Sequence, residues 1–263
     1  MQAVCLFALQ RQNDAYSCFD ETLEMVEATD GIGSDIHLFV LDHYATCLMS
    51  AREYDRALLA LQQRVAGMHE RRREDARVSG AAGMDVERAS YSNLGRAFYM
   101  DVEHTYCIEV LLLAGDYIGA EQKARNLREE LLSFEDAVSG KMQAYHGIDA
   151  RQRWVLTGEM WQAKSVRAMV QEAMARALLW GGQDEEAVRV HGDTIDIVRK
   201  GVQDQTVDQE KLQRIEHAWD NACTCVADGL LPSHDPEAQL ILPRRIFGDP
   251  LLGCRAKMGV RYT

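Results

Sequence analysis

The side chains that could carry chemistry in this chain are its histidines, cysteines and carboxylates, and their spacing predicts no reactive site. The eight histidines include no HxxxH pair, and no Glu lies three residues before a His. The two-metal motif of helical bundles, which needs that Glu–His spacing, is therefore missing. Asp101-Val102-Glu103-His104 is the closest approach, and we interpret it as an ordinary polar pair. Cys223 and Cys225 have the wrong spacing for a zinc knuckle.

Motifs that bind phosphate or position a nucleophile are also missing from the sequence. It contains no P-loop, no GxGxxG and no GxSxG. Gly181-Gly182 is explained by the end of a helix followed by a tight turn. We therefore expect no catalytic, cofactor-binding or metal-binding residues, and we do not expect an enzyme. A helical-bundle enzyme or cofactor binder is one alternative, and it would require a bound metal or a buried cluster of histidines and carboxylates.

The composition predicts an all-α protein. The chain has 263 residues, of which 47% are hydrophobic and 27% charged, and its four prolines all lie at or after Pro232. A long tract without proline and rich in Ala, Leu, Glu, Arg and Gln favours helices. Runs that alternate Val, Ile or Thr with polar residues are few, which argues against strands.

Charge and cysteine content indicate the environment of the chain. The net charge is −12, which disfavours nucleic acid as a partner. No apolar run approaches the roughly 18 residues of a membrane span, so we expect no membrane insertion. Seven scattered cysteines suit a reducing compartment. We expect the cytoplasm, and the interior of an organelle is the alternative.

The stretch from Leu41 to Val65 organises the sequence, because it predicts two helices folded back on each other. Apolar residues recur at helical spacing up to Leu48, stop around 50–53 and resume at Tyr54. The small residues Ala45 and Ala57 fall where the two helices would approach most closely. Weaker copies of the second half of this pattern place equivalent alanines at Ala15, Ala120 and Ala187.

These paired helices with small contact residues resemble the tetratricopeptide (TPR) repeat. The copies are spaced more widely than the family's period of about 34 residues, so the resemblance is to an irregular variant with long helices. It implies an all-α fold, a right-handed α-solenoid of antiparallel helix hairpins. It also implies a terminal capping helix, and we expect an extended C-terminal tail after it.

The resemblance and the breaks in periodicity give the domain organisation. A TPR-like helical repeat domain spans 1–229, and a basic tail containing proline and glycine spans 230–263. Ser34 and Asp35 are the expected caps of the first helix of the organising repeat. The first hairpin begins mid-repeat, so we expect that the chain continues a longer protein or that another subunit covers Val4, Phe7 and Leu9. The predicted hairpins lie at about 1–28, 34–78, 85–138 and 150–201, with the capping helix at 206–229.

The resemblance also implies a partner-binding groove lined by the first helix of each pair. Its predicted lining is Phe39, Asp42, Thr46 and Met49 from one pair, Val102, Thr105, Glu109 and Leu112 from the next, and Met169, Glu172, Arg176, Leu179 and Trp180 from the last. Such a lining would suit an amphipathic helix or an apolar extended segment. The alternative is that the long helices pack these residues internally and leave no open groove.

The tail carries its own apolar anchors. They are Ile246, Phe247, Leu251 and Leu252. Residues 239–263 also contain five basic side chains against Asp249 alone. A wholly solvated tail seldom keeps so many apolar residues, so we expect it to pack on the body or on a neighbour.

Two functions follow from these expectations. The first is a non-enzymatic protein–protein interaction scaffold or adaptor, a subunit of a larger hetero-oligomeric assembly that binds helical or extended apolar segments of other proteins. The second is an autoregulated peptide-binding sensor domain whose groove is occupied by its own tail. Deleting residues 230–263 would distinguish them, because only the sensor should bind its partner better without the tail.

Overall fold

The computed structural model describes residues 2–81, 104–144, 150–203 and 209–230. Within these ranges the chain is entirely helical, with no strand, which confirms the predicted all-α class. The helices are α1 (Gln2–Ala8), α2 (Gln12–Thr29), α3 (Asp35–Ser50), α4 (Tyr54–Ala81), α5 (104–114 of the described residues), α6 (Tyr117–Ala144), α7 (Ala150–Trp180), α8 (Asp184–Gln203) and α9 (Gln209–Ala227). Among the described helices, none is long and apolar enough to cross a membrane.

The same backbone turn ends each odd-numbered helix. Beyond α3 the amide of Glu53 donates to the carbonyl of Leu48 (2.9 Å), and the amide of Arg52 donates to that of Met49 (3.0 Å). This pair of bonds is the Schellman motif, which needs one residue in the left-handed region. The left-handed residues in the five turns are Gln10, Arg52, Gly115, Gly182 and Gly229. After α1, α3, α5 and α7, the turn reverses the chain into the next helix.

The helices contact one another in a regular order. Consecutive helices pack together from α1 to α4 and from α6 to α9. Two pairs of odd-numbered helices also contact each other, α1 with α3 and α7 with α9. The turn predicted at Gly181-Gly182 separates α7 from α8, and a turn at 115–116 separates α5 from α6.

Helix α5 supplies side chains to both of the larger hydrophobic cores. Cys107 and Val110 pack with residues of α1 to α4, whereas Ile108 and Leu112 pack with α6, α7 and α8. Tyr106 borders both cores. The helix therefore links the N-terminal and C-terminal halves of the described chain. A smaller apolar cluster joins α7, α8 and α9.

The alanines that define the predicted repeat are completely buried. Ala15, Ala57, Ala120 and Ala187 each have 0% of their surface exposed, and so do Ala45 and Ala175. A methyl side chain lets two helix backbones approach closely, and a larger one would push them apart. The structure thus buries each of these positions completely, as closely packed helices require.

Polar side chains lie at the edge of the N-terminal core, which is the larger core that contains residues of α1 to α4. The Tyr16 hydroxyl donates to Glu53 (2.8 Å), and Arg56 donates to Glu53 (2.7 Å) and to the Tyr44 hydroxyl (2.6 Å). The Arg56 guanidinium also lies 4.5 Å from the centre of the Tyr16 ring. Burial and the bond to Glu53 raise the pKa of Tyr16 to about 12. Tyr16 of α2 is thus joined directly to Glu53 and Arg56 at the start of α4.

Some predicted boundaries differ from the structure. Helix α6 continues through Ser139 and Gly140 to Ala144, beyond the expected end at 138, and α4 continues to Ala81. Serine and glycine favour a helix end only weakly, and packing along the partner helix outweighs that preference. Three of the predicted features lie outside the described residues. They are the start of the hairpin predicted at 85–138, the groove residue Val102, and the tail with its anchors Ile246, Phe247, Leu251 and Leu252.

We predict that a charge placed at the alanine contacts disrupts their hairpins. Ala57→Arg and Ala120→Arg should each cost about 3 kcal/mol or more of unfolding free energy, because a long charged side chain cannot enter a closed helix contact. Leu59→Arg and Ile118→Arg, on the same helices but 56% and 78% exposed, are matched controls that should change it by less than about 0.5 kcal/mol. Thermal unfolding followed by circular dichroism measures both pairs. If Ala57→Arg were as stable as Leu59→Arg, or Ala120→Arg as stable as Ile118→Arg, the alanines would not be close contacts.

Candidate functional site

An exposed apolar stripe lies at the N-terminal half of α3. Ile32 of the preceding turn, Ile36 and Phe39 are 60%, 51% and 55% exposed. The spacing of Ile36 and Phe39 places these two along one side of the helix, and Ile32 lies just before its first turn. The His43 ring continues the line, with its centre 4.1 Å from that of Phe39. We call Ile32, Ile36 and Phe39 the α3 stripe.

The turn before α3 fixes the position of this stripe. Ser34 caps the helix by accepting a hydrogen bond from the His37 amide (3.2 Å), as the sequence predicted. Gly33 has a φ of +84° and packs against the backbone of Gly67 in α4, where a Cβ on Gly33 would overlap the Gly67 carbonyl oxygen. Glycine is therefore required at position 33 both by its backbone angle and by space. Helix α3 is thus seated directly on α4.

The buried His37 ring ties the same turn to α2. Its Nδ1 accepts from the Gly33 amide (3.3 Å), which leaves Nε2 to donate to Glu27 Oε1 (3.3 Å). Arg71 of α4 pairs with Asp35, and Arg64 lies 3.9 Å from Asp42. Contacts from α2 and α4 therefore hold the first turns of α3 on both sides, and the apolar stripe stays outward.

The α2–α3 hairpin is strongly acidic. Residues 12–51 contain no Lys or Arg, and their eight acidic residues are Asp14, Asp20, Glu21, Glu24, Glu27, Asp30, Asp35 and Asp42. Arg11, Arg64 and Arg71, from outside this stretch, face three of these carboxylates. The remaining carboxylates lie on α2 and in the turn that carries Ile32. An apolar stripe beside such a surface favours ligands that are both apolar and basic.

A second feature is a buried ion cluster between α5 and α7. Arg176 donates to Glu109, and its Nε lies 2.5 Å from Glu172 Oε1. The exposed fraction of the side chain is only 5% for Arg176, 9% for Glu109 and 13% for Glu172. We call these residues the α5–α7 ion cluster. Two carboxylates share one guanidinium there, so the cluster holds the two helices together at a single register.

The cluster continues toward α8 and α9 through His191. The His191 ring stacks on Trp219 of α9, with centres 4.3 Å apart and planes at 8°. Its Nδ1 is buried and has no hydrogen-bond partner among the described residues. Burial lowers the pKa of His191 below its usual range, and the nearby carboxylates of Glu172, Asp220 and Glu216 only partly oppose this. The ring is therefore held neutral against the indole.

The structure divides the predicted groove residues into exposed and buried groups. Phe39 is exposed, and Asp42, Met169, Glu172 and Trp180 are half-buried. The buried members are Thr46, Met49, Thr105, Glu109, Leu112, Arg176 and Leu179. Met49 belongs to the N-terminal core, and Leu112 and Leu179 belong to the C-terminal core. Of the predicted groove residues that the structure describes, Phe39 and the half-buried side chains reach the surface.

Sequence reasoning missed Ile32 and Ile36, as well as the pairing within the ion cluster. A signal for the stripe was present, since two isoleucines precede Phe39 at helical spacing in a stretch without any Lys or Arg. Within the described residues, no three His, Cys, Asp or Glu side chains converge in a way that could hold a metal ion. Comparison of the chain with family models, with curated proteins and with solved structures found no match.

We predict that removing the shared guanidinium destabilises the fold. Arg176→Met leaves the Glu109 and Glu172 carboxylates buried without a counter-charge, which should cost about 3–5 kcal/mol. Arg189→Met breaks a surface pair with Glu186 and is the control, with an expected cost of less than about 1 kcal/mol. Chemical denaturation measures both variants. Adding Glu109→Gln and Glu172→Gln to Arg176→Met should restore part of the loss, and no recovery would argue against a charge effect.

We predict that His191 makes the fold less stable as the pH falls. Because its pKa in the folded chain lies below the usual 6.5, the unfolded chain takes up the proton first, and stability decreases below about pH 6.5. His191→Phe keeps an aromatic ring against Trp219 without the titration. The difference in unfolding free energy between the two proteins should therefore change between pH 7.5 and 5. A constant difference across that range would exclude His191 as a source of the pH dependence.

Proposed function

We propose that this chain is a protein–protein interaction scaffold, a TPR-like α-solenoid that works as one subunit of a larger assembly. Three observations support the repeat architecture. The odd-numbered helices end in the same turn, the equivalent alanines are fully buried, and consecutive helices contact each other from α1 to α4 and from α6 to α9. Arrays built this way present long surfaces on which other proteins bind.

The observation that carries the proposal is the exposed α3 stripe on an acidic surface. Ile36 and Phe39 are exposed on α3, and Ile32 is exposed in the turn before it. Large apolar residues exposed together commonly mark an interaction site. Phe39 was already predicted to line a partner groove from the resemblance. The partner that fits is a helical or extended segment with apolar residues on one side and Lys or Arg beside them.

The half-buried residues of α7 extend the proposed surface. Met169, Glu172 and Trp180 belong to the corresponding side of that helix in the predicted pattern, and each keeps part of its surface accessible. Glu172 is shared with the α5–α7 ion cluster, so binding near it would act directly on the junction of the two helices.

We propose the cytoplasm as the location, on the basis of the cysteine usage alone.

The decisive experiment is affinity capture with matched surface variants. Phe39→Glu and Ile36→Glu should reduce the recovery of specific partner proteins by at least about tenfold, since a charge at the centre of an apolar contact removes its main anchor. Ile118→Glu and Val188→Glu, which alter residues exposed by 78% and 60% on α6 and α8, should leave recovery unchanged. Quantitative mass spectrometry of the captured proteins gives the ratio of the amount recovered with each variant to the amount recovered with the wild-type chain.

Two results would contradict this proposal. One is capture of the same proteins in the same amounts by the wild-type chain and both stripe variants. The other is capture of nothing above the level of the bare resin. Circular dichroism of each variant shows first that the helical content is retained, which is expected because the altered side chains are exposed.

A further inference from the structure

The described chain ends on a contact with α7. Helix α9 ends at Ala227, and the Trp180 indole donates to the Leu230 carbonyl oxygen at 3.4 Å. The turn at Gly229 is the same one that, at Arg52, Gly115 and Gly182, sends the chain back along the preceding helix. The described chain therefore ends at Leu230, in contact with α7.

The segment that follows has the composition that the α3 stripe and its acidic surroundings favour. Between 240 and 252 its large apolar residues come in three groups, 240–242, 246–247 and 251–252. Arg244 and Arg245 lie between the first two groups, and Arg255, Lys257 and Arg261 follow the third. Apolar groups with adjacent cations complement a stripe of Ile and Phe on a hairpin that contains no Lys or Arg.

The α3 stripe lies within reach of this segment. An extended chain spans about 3.3 Å per residue, so residues 231–246 reach up to about 50 Å. Helix α3 is about 24 Å long, at 1.5 Å for each of its 16 residues. Among the described helices, α5 contributes to both the core that contains α3 and the core that contains α7, and packed helices lie about 8–10 Å apart. The reach of the segment is about twice the length of α3.

We propose that the chain's own segment 240–252 binds the α3 stripe and so competes with outside partners for it. This regulation rests on the proposed function, because it concerns the same surface. The apolar groups would cover Ile36 and Phe39, and Arg244 and Arg245 would face the carboxylates of α2 and of the turn at 30–35. A partner binds only after the segment leaves.

Tethering makes a weak contact effective. A segment on a short flexible connection has an effective concentration of the order of 1 mM at a site within its reach. If the free segment binds with a Kd of about 10–100 μM, the stripe is occupied in about nine chains out of ten or more. An outside ligand then binds about 10–100 times more weakly than it would to an open stripe.

A synthetic peptide of residues 239–257, with serine in place of Cys254 and a fluorescent label, tests this in the full chain. Its anisotropy should show binding at least tenfold tighter to a chain carrying Arg244→Glu, Arg245→Glu and Phe247→Asp than to the wild-type chain. Adding Phe39→Glu to that variant should abolish binding, and adding Ile118→Glu should not. Equal affinity for the wild-type and tail-variant chains, or binding that survives Phe39→Glu, would overturn the proposal.

Photocrosslinking from position 39 supplies an independent measurement. A benzoyl-phenylalanine replacing Phe39 in the full chain should form an adduct within residues 240–252, and one replacing Ile118 should not. A mixture of isotope-labelled and unlabelled chains shows whether the adduct forms within one chain. Adducts between chains would indicate a second copy as the occupant and would overturn the proposal, as would the absence of any adduct in 240–252.

The two proposals fail in different ways. If Phe39→Glu loses its captured partners but the peptide binds the wild-type and tail-variant chains equally, the scaffold function stands and the self-binding is wrong. If the peptide binds through Phe39 but capture is unaffected by Phe39→Glu, the self-binding stands and the function proposed for the stripe is wrong.

Discussion

The rest of this structure depends on a backbone turn that recurs at the end of every odd-numbered helix. In each copy one residue adopts the left-handed conformation, and two amides bond back to the last carbonyls of the helix. The turn reverses the chain within a few residues, so the following helix must lie against the preceding one. Glycine provides the turn at Gly115, Gly182 and Gly229, but Gln10 and Arg52 adopt the same geometry at some cost in strain. The geometry is thus kept where the favoured residue is missing.

Closely packed helices need small contact residues and a means of setting their register. The fully buried alanines meet the first need, because each lets two backbones approach. The α5–α7 ion cluster meets the second, since Arg176 can serve both carboxylates in only one alignment of the helices. Helix α5 is the natural place for such a device. It contributes to both large cores, so a slip along α7 would disturb the whole described chain.

Much of the helical layout could be predicted from the sequence, and the reasons are local. Helical periodicity located α3, and the glycine pair at 181–182 located a turn, because both signals act within a few residues. The depth of each groove residue could not be predicted. Periodicity gives the side of a helix, but whether Leu112 or Arg176 is covered depends on helices far away in the chain. Likewise, nothing local couples Glu109 to Arg176.

The contact between Gly33 and Gly67 has a consequence for how the α3 stripe recognises a ligand. Two facing glycines bring a turn and a helix to backbone contact, so the closest support beneath the stripe is backbone packed against backbone. A surface of that kind is preorganised. It loses little conformational entropy on binding, and it selects among ligands by how well they fit its fixed contour.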